Sequence, residues 1–307
     1  MGWRFYGDMQ GLENWSEKND VMDDLRGMNI ETNFNYSPHS EFYISDGSRK
    51  QKVISNKPAF YLVKRGVEDD SLDQALKRQA LKLGTVIFFN QTIPSAEANI
   101  IAIGPIMNKI FAIASGIVFN TKASDIVICL INHKAAPKGY GYLLITNGYG
   151  CLTTVLFDEF AKVKNCFNET KNLISNVTNF NIENPKIING VGGFSVNNIF
   201  QEGDVFYIGE AAGLQDKLWG FGMRSAIRSG YLAAQSIINH QSYKEIAQKE
   251  FGKKVKASLV NRFIWEKMIL KKFEVPTEII KTPYKKLYSF YNFNLLQKII
   301  YPFLKKT

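Results

Sequence analysis

DVFYIGEAAGLQDKLWGFGMRSAIRSGYLAAQSI, residues 204–237, is the stretch on which the fold of this chain turns. An apolar run ends at Gly209, and Glu210 follows at the C-terminal edge of the strand it predicts. Ala211, Ala212 and Gly213 let a ligand approach the backbone closely. Gly220 and Gly222 precede a helix predicted over 223–239, whose start carries few acidic side chains. A strand, a glycine-lined loop and a helix N-terminus in this order make an anion and nucleotide site. The free N–H groups and positive dipole end of the helix face whatever the loop holds. Glu210 is placed to accept hydrogen bonds from sugar-type hydroxyls. The same order also suits a plain crossover whose glycines only permit packing, and the residues alone leave both readings open.

Working outward, the chain has 307 residues, 45% hydrophobic and 21% charged, which excludes disordered, collagen-like and disulfide-dense classes. Its net charge of +10 comes from 38 Lys+Arg against 28 Asp+Glu. Residues 241–307 hold 15 basic and 5 acidic side chains, so the tail carries the whole excess and the body is neutral. Ser16 is expected to cap a short helix over 17–27. EFYIS and RKQKVI around Asp46-Gly47 predict a hairpin, and AFYLVKR (59–65) another strand. Ser71 and Gln74 form a capping box ahead of a helix ending at Gly84, with TVIFF expected next as a buried strand. Residues 124–157 read as strands turning at Asn147-Gly148, followed by a polar helix over 158–175 and a loop at Gly190, Gly192 and Gly193. The apolar stretch 100–119 is broken by Gly104-Pro105, so it reads as two buried strands rather than a membrane helix.

Cys129, Cys151 and Cys166 are odd in number and lack Cys-x-x-Cys spacing, which suits a reducing compartment. His39, His133 and His240 lie far apart, so no metal site is expected. The N-terminus has no signal-type apolar run, and the cytosol is the expected location.

Residues 209–230 resemble the second flavin-binding motif of the FAD-dependent oxidoreductases that include geranylgeranyl reductases and aromatic hydroxylases. The pattern is met in register at Gly209, Ala211, Ala212, Gly213, Gly220, Gly222, Ala226, Ser229 and Gly230. Glu210 replaces that family's Asp, and Lys217 its proline. More weakly, YLVKRG…SLDQAL…A…LG (61–84) is similar to the Tyr/Val–Arg–Asp–Leu–Ala–Gly series of these reductases, with Arg65, Asp73, Leu76, Ala80 and Gly84 in matching order, and WRFYGDMQGLENW (3–15) to the stretch after their second strand. The resemblance implies FAD contacts from Arg4, Arg65, Gly209, Glu210, Ala212, Gly213, Gly220, Phe221, Gly222 and Met223. It puts Tyr142 and Trp219 on the substrate side. Two features depart from the family. The chain has no Gly-x-Gly-x-x-Gly strand–helix–strand unit, so it resembles a member lacking that segment. The region 139–147 also lacks the tryptophan and proline of the prenyl-reductase and halogenase signatures.

What this implies is an α/β flavoprotein. Segments 1–35, 65–107 and 186–240 would form a split, partial Rossmann-like FAD-binding domain. Segments 36–64 and 108–185 would form an antiparallel substrate-side sheet, and 241–307 a basic, aromatic helical region. The expected activity is FAD-dependent oxidoreduction, of reductase or monooxygenase type, on an apolar small molecule such as an isoprenoid or lipid. NAD(P)H would be the external reductant, and no acid–base residue stands out. The alternative is a truncated, non-catalytic relative that binds a lipid or a partner. In the tail, 12 aromatic residues among 67 are interleaved with lysines. That mixture suits either an anionic membrane surface and a peripheral location, or a helical cap with solvated lysines. Nucleic acid is not expected, because no binding motif accompanies the charge and Arg262 is the tail's one arginine.

Overall fold

A computed structural model describes residues 6–104, 110–193, 199–269 and 288–304. The run FYLVKRG forms β5 (Phe60–Gly66), and its burial on both faces organises what surrounds it. Tyr61 and Val63 point to one side and Phe60 and Leu62 to the other, as the two-residue period of a strand requires. On the first side lie helices α1 (Val21–Gly27) and α2 (Leu72–Lys82), contributing Met22, Leu25, Leu72 and Ala75. β5 is the middle strand of three, antiparallel to β1 (Tyr6–Glu13) and β2 (Tyr36–His39).

The second side of β5 packs on a seven-stranded sheet through Val118, Leu144, Cys151 and Ile188. Its strands are β3 (Glu41–Ser45), β4 (Lys50–Ile54), β7 (Ala112–Asn120), β8 (Ile126–Leu130), β9 (Tyr140–Thr146), β10 (Tyr149–Leu156) and β11 (Glu183–Gly192). They run in the order β11-β7-β10-β9-β8-β3-β4. The sheet expected to be antiparallel is mixed, since β3 pairs with β8 in parallel. Helix α3 (Val163–Val177) covers its far face through Ile174. A third, short sheet joins β6 (Ile100–Ile101), β12 (Gln201–Glu202) and β13 (Val205–Tyr207), with β13 parallel to β6. Against it pack α4 (Met223–Ile238) and α5 (Tyr243–Ile264), through Ala233, Tyr243, Ala247 and Phe251. Helix α6 (Leu295–Leu304) follows near the end of the chain.

Local signals placed several elements as expected. The Ser71 hydroxyl accepts from Gln74 N at 3.2 Å to open α2, and Gly84 sits at φ +87° beyond its end. Asn147 and Gly148, at φ 51° and 75°, turn β9 into β10, in the conformation of a tight hairpin.

Three expectations need correction. Ser16 is not the cap of α1; the Asp20 carboxylate accepts from Met22 N instead, and the helix starts at Val21. TVIFF (85–89) forms no strand, and Val86, Phe88 and Phe89 are exposed, because β-propensity makes a strand only where a neighbour supplies the ladder. The expected loop at Gly190–Gly193 is largely the end of β11, which pairs with β7 from Lys186 to Gly192. β11 is an edge strand, where glycine is tolerated, and Pro185 sits in the register shift between Glu183 and Lys186.

Candidate functional site

The expected strand over 204–209 is β13, and the chain leaves it through a tight turn, Gly209–Ala212, closed by Gly213 at φ 70°. Gly209 is required here. Its φ is +57°, and a Cβ would lie 3.2 Å from that of Ala226 on α4. Gly209 N donates to Ser229 Oγ at 2.8 Å, and that hydroxyl donates to Ala226 O at 2.8 Å. Strand end and helix are thereby held together. Glu210 lies half-buried within the turn, and its carbonyl accepts from Gly213 N at 2.9 Å.

Residues 214–222 fold back into a closed loop. Asp216 N donates to Phe221 O at 2.6 Å, and Gly220 N to Asp216 O at 2.8 Å. The Asp216 carboxylate accepts from Trp219 N at 2.8 Å and from the Ser258 hydroxyl of α5 at 2.6 Å. Ser258 Oγ in turn accepts from Lys217 N at 2.5 Å. Helix α4 then starts at Gly222 and Met223. Among the described residues no side chain caps it, and its first turn has no acidic residue. Its N-terminus is the end of a helix dipole that favours an anion or a hydrogen-bond acceptor.

Two aromatic anchors seat this loop. The Phe221 ring lies 4.4 Å from that of Trp15, edge-on, and fits where Gly11 of β1 lacks a side chain. A Cβ at Gly11 would stand 3.1 Å from the Phe221 ring. Trp219 packs on Trp265 at 4.9 Å and on Tyr140 of β9 at 5.6 Å, and the Tyr140 hydroxyl donates to Trp219 O. The ring of Tyr142 is 6.2 Å from that of Tyr140. The two residues expected on the substrate side, Tyr142 and Trp219, are therefore joined through Tyr140. Burial raises the pKa of both tyrosines, keeping them as neutral hydroxyls.

Arg65 is on β5. Its guanidinium bonds both oxygens of Asp73, at 2.8 and 2.9 Å, and Gln10 Oε1 at 3.0 Å. Arg4 lies outside the described residues.

Tertiary packing adds groups that local sequence did not single out. Lys217 is 1% exposed, and among the described residues its Nζ has no hydrogen-bond partner. Burial pulls its pKa down to about 8, against the opposing pull of Asp216. Gln215 Oε1 is likewise buried without a partner, while its amide donates to Gly220 O at 2.9 Å. Beside the start of α4, Lys254 Nζ reaches Ser16 Oγ at 3.0 Å, Glu17 at 3.3 Å, Ser225 Oγ at 3.5 Å and Glu13 at 3.7 Å. Burial raises the pKa of Glu13, with Lys254 only partly offsetting it. Glu17 is also pushed up by burial, but Lys254 and Arg224 outweigh that and leave its pKa low. Arg224 pairs with Asp24 and donates to Asn19 O at 3.0 Å. Lys254, Ser225, Phe221 and Gln215 share the lining of a small cleft between the loop, α4 and α5. No pattern in the sequence announces this cluster, because its members come from β1 and the segment after it, the loop 214–222, α4 and α5, which only the fold brings together.

Among the described residues no group of three His, Cys, Asp or Glu side chains could hold a metal ion. No helix among them is long and apolar enough to cross a membrane.

The whole arrangement can be compared with solved structures. One is a geranylgeranyl bacteriochlorophyll reductase-like protein from Thermoplasma acidophilum, with TM-score 0.66 and 16% identity over 96% of this chain and 85% of that one. Another is the flavin-dependent brominase Bmp2, with TM-score 0.61 and 13% identity over 99% of this chain and 90% of that one. The chain has the fold of the flavin-dependent oxidoreductases. A flavin-dependent halogenase from Xanthomonas campestris shares it too, with TM-score 0.54 and 8% identity over 89% and 74% of the two chains. No family model and no curated protein matches the sequence. Within this fold, the motif read at 209–230 is the junction of β13, its glycine turn and α4.

Proposed function

We propose that the chain is an FAD-dependent oxidoreductase, of reductase or monooxygenase type, acting on an apolar substrate such as an isoprenoid or lipid. The observation that carries this reading is the junction itself: Gly209 and Gly213 in left-handed conformations, a loop closed on itself, and a helix N-terminus that no side chain caps among the described residues. The residues present fit the cofactor. Gln215 Oε1 and Lys217 Nζ are buried polar atoms without hydrogen-bond partners among the described residues, and Gln215 packs against Gly222 at a helix start suited to an acceptor or anion. Glu210, in the turn after β13, would accept from sugar-chain hydroxyls, while Ala212 and Gly213 leave the backbone open to close approach. Gly220, Phe221, Gly222 and Met223 would line the ring, with Phe221 wedged by Trp15.

When bound, the flavin supplies the hydride or oxygen chemistry, and NAD(P)H would deliver the electrons. The chain's own residues position and enclose. Tyr140, Tyr142, Trp219 and Trp265 supply aromatic surface beside the loop, which suits an apolar substrate and excludes water. Burial raises the pKa of Glu13, so this carboxyl beside the loop holds a proton more readily than an exposed one.

Titration of the purified protein with FAD tests the reading. Saturable quenching of flavin fluorescence, with a shifted absorbance band, is expected. No quenching up to micromolar FAD would overturn the enzyme reading and favour a non-catalytic binding protein.

A further inference from the structure

Helix α6 is built the wrong way round for a surface facing water. Asn294 and Gln297 form a capping box at its start: Asn294 N donates to Gln297 Oε1 at 2.8 Å, and Gln297 N to Asn294 Oδ1 at 3.0 Å. Gln297 is then buried, 1% exposed, with its amide donating to Asn261 Oδ1 of α5 at 2.7 Å and to Phe290 O at 2.6 Å. Tyr301 packs edge-on against Phe293, and Lys256 of α5 lies over both rings, at 5.7 and 5.8 Å. The polar side chain of Gln297 faces the protein.

Its outer face is apolar. Leu295 and Phe303 are each 74% exposed, and Leu296 and Ile299 each 58%. At about 100° per residue these four fall within roughly one quarter to one third of the helix circumference, with exposed Pro302 beside them. Phe290, just before the helix, is also exposed. Exposed Lys298 flanks this face. After Glu278 the sequence contains no acidic residue, but it holds Lys281, Lys285, Lys286, Lys298, Lys305 and Lys306.

We propose that α6 docks the protein on an anionic lipid bilayer, with Leu295, Leu296, Ile299 and Phe303 entering the headgroup–acyl boundary and Lys298 beside them meeting lipid phosphates and carboxylates. An apolar stripe in a segment with lysines and no carboxylates matches a surface that is apolar within and negative outside. The tail also carries the protein's entire net charge of +10. This inference is independent of the flavin reading, since no residue of α6 belongs to the cofactor junction.

The test is co-sedimentation of the full chain with vesicles of phosphatidylcholine alone and of phosphatidylcholine mixed with phosphatidylserine. Two variants accompany the wild type, Ile299→Gln and the pair Leu295→Gln with Phe303→Gln. All the replaced side chains are exposed, so unchanged circular dichroism and unfolding midpoints are expected. The wild type should pellet with the anionic vesicles and be released by high salt. Each replaced apolar side chain should weaken partitioning about tenfold. Equal pelleting of wild type and variants, or equal pelleting on both vesicle types, would overturn the proposal. So would a wild type that ignores vesicles and sediments as a dimer that the variants dissociate, which would make the face a contact between copies of the chain.

Discussion

Lys217 shows how a single residue can matter more in the fold than in the sequence. In the sequence it is one substitution within a motif; in the structure it is an amine with its pKa pulled down to about 8 by burial. A lysine whose folded pKa lies below its ordinary 10.5 destabilises the fold while it must stay protonated. Between pH 8 and 10.5 the unfolded chain holds the proton and the folded chain has released it, so stability rises with pH across that window. Replacing Lys217 by Met should remove this dependence and stabilise the protein at pH 7 by about 2–3 kcal/mol, as read by urea unfolding at several pH values. A variant with the wild-type pH slope would show that another group causes it. Gly11 illustrates the opposite case, a residue legible only through its neighbour. Gly11→Ala presses a methyl into Phe221 at 3.1 Å and should cost about 1–3 kcal/mol. It should also weaken FAD binding, checked by the same fluorescence titration, whereas unaltered affinity would separate Phe221 from the cofactor.

At the scale of elements, α2 and the hairpin β9–β10 were legible because their signals are short-range. A hydroxyl at 71 meets an amide at 74, and Asn147-Gly148 accepts the backbone a tight turn requires. TVIFF was misleading for the same reason: five residues of strand-forming chemistry carry no information about whether a partner strand lies alongside. Helix α5 was read as part of a basic tail, yet its inward face links two parts of the candidate site. Ser258 holds Asp216 and Lys217 N, so Ser258→Ala should cost about 1–3 kcal/mol by leaving buried partners unpaired, read as a lower urea midpoint. Lys254 faces Glu13 and Glu17. Lys254→Met should cost about 3–5 kcal/mol where Glu13 is ionised, because the buried carboxylate would lose its cation. The loss should shrink on acidification, since the pKa of Glu13 is already raised and protonation removes the unpaired charge. A loss that stays constant from neutral to acidic pH would show that packing, not charge, is what Lys254 supplies.

Over the whole molecule, the division at residue 240 suggested by charge is not a division in the core. Tyr243, Ala247 and Phe251 of the cationic segment are buried with Tyr207, Ala211 and Ala212 of the candidate site. A chain ending at His240 should therefore lose its cooperative thermal transition; a sharp transition at the wild-type midpoint would show the tail to be dispensable. At its far end, α6 turns apolar side chains outward among the described residues. The sequence by itself determined the junction at 204–237, the capped helix, the two hairpins and the location of the charge, because each depends on residues within one or two turns of chain. The tertiary structure alone decided that Lys217 is buried, that Tyr140 links Tyr142 to Trp219, that Glu13 and Lys254 meet beside α4, and that α6 turns its apolar face outward. Those depend on desolvation and on contacts between residues far apart in the chain, which no local pattern of side chains encodes.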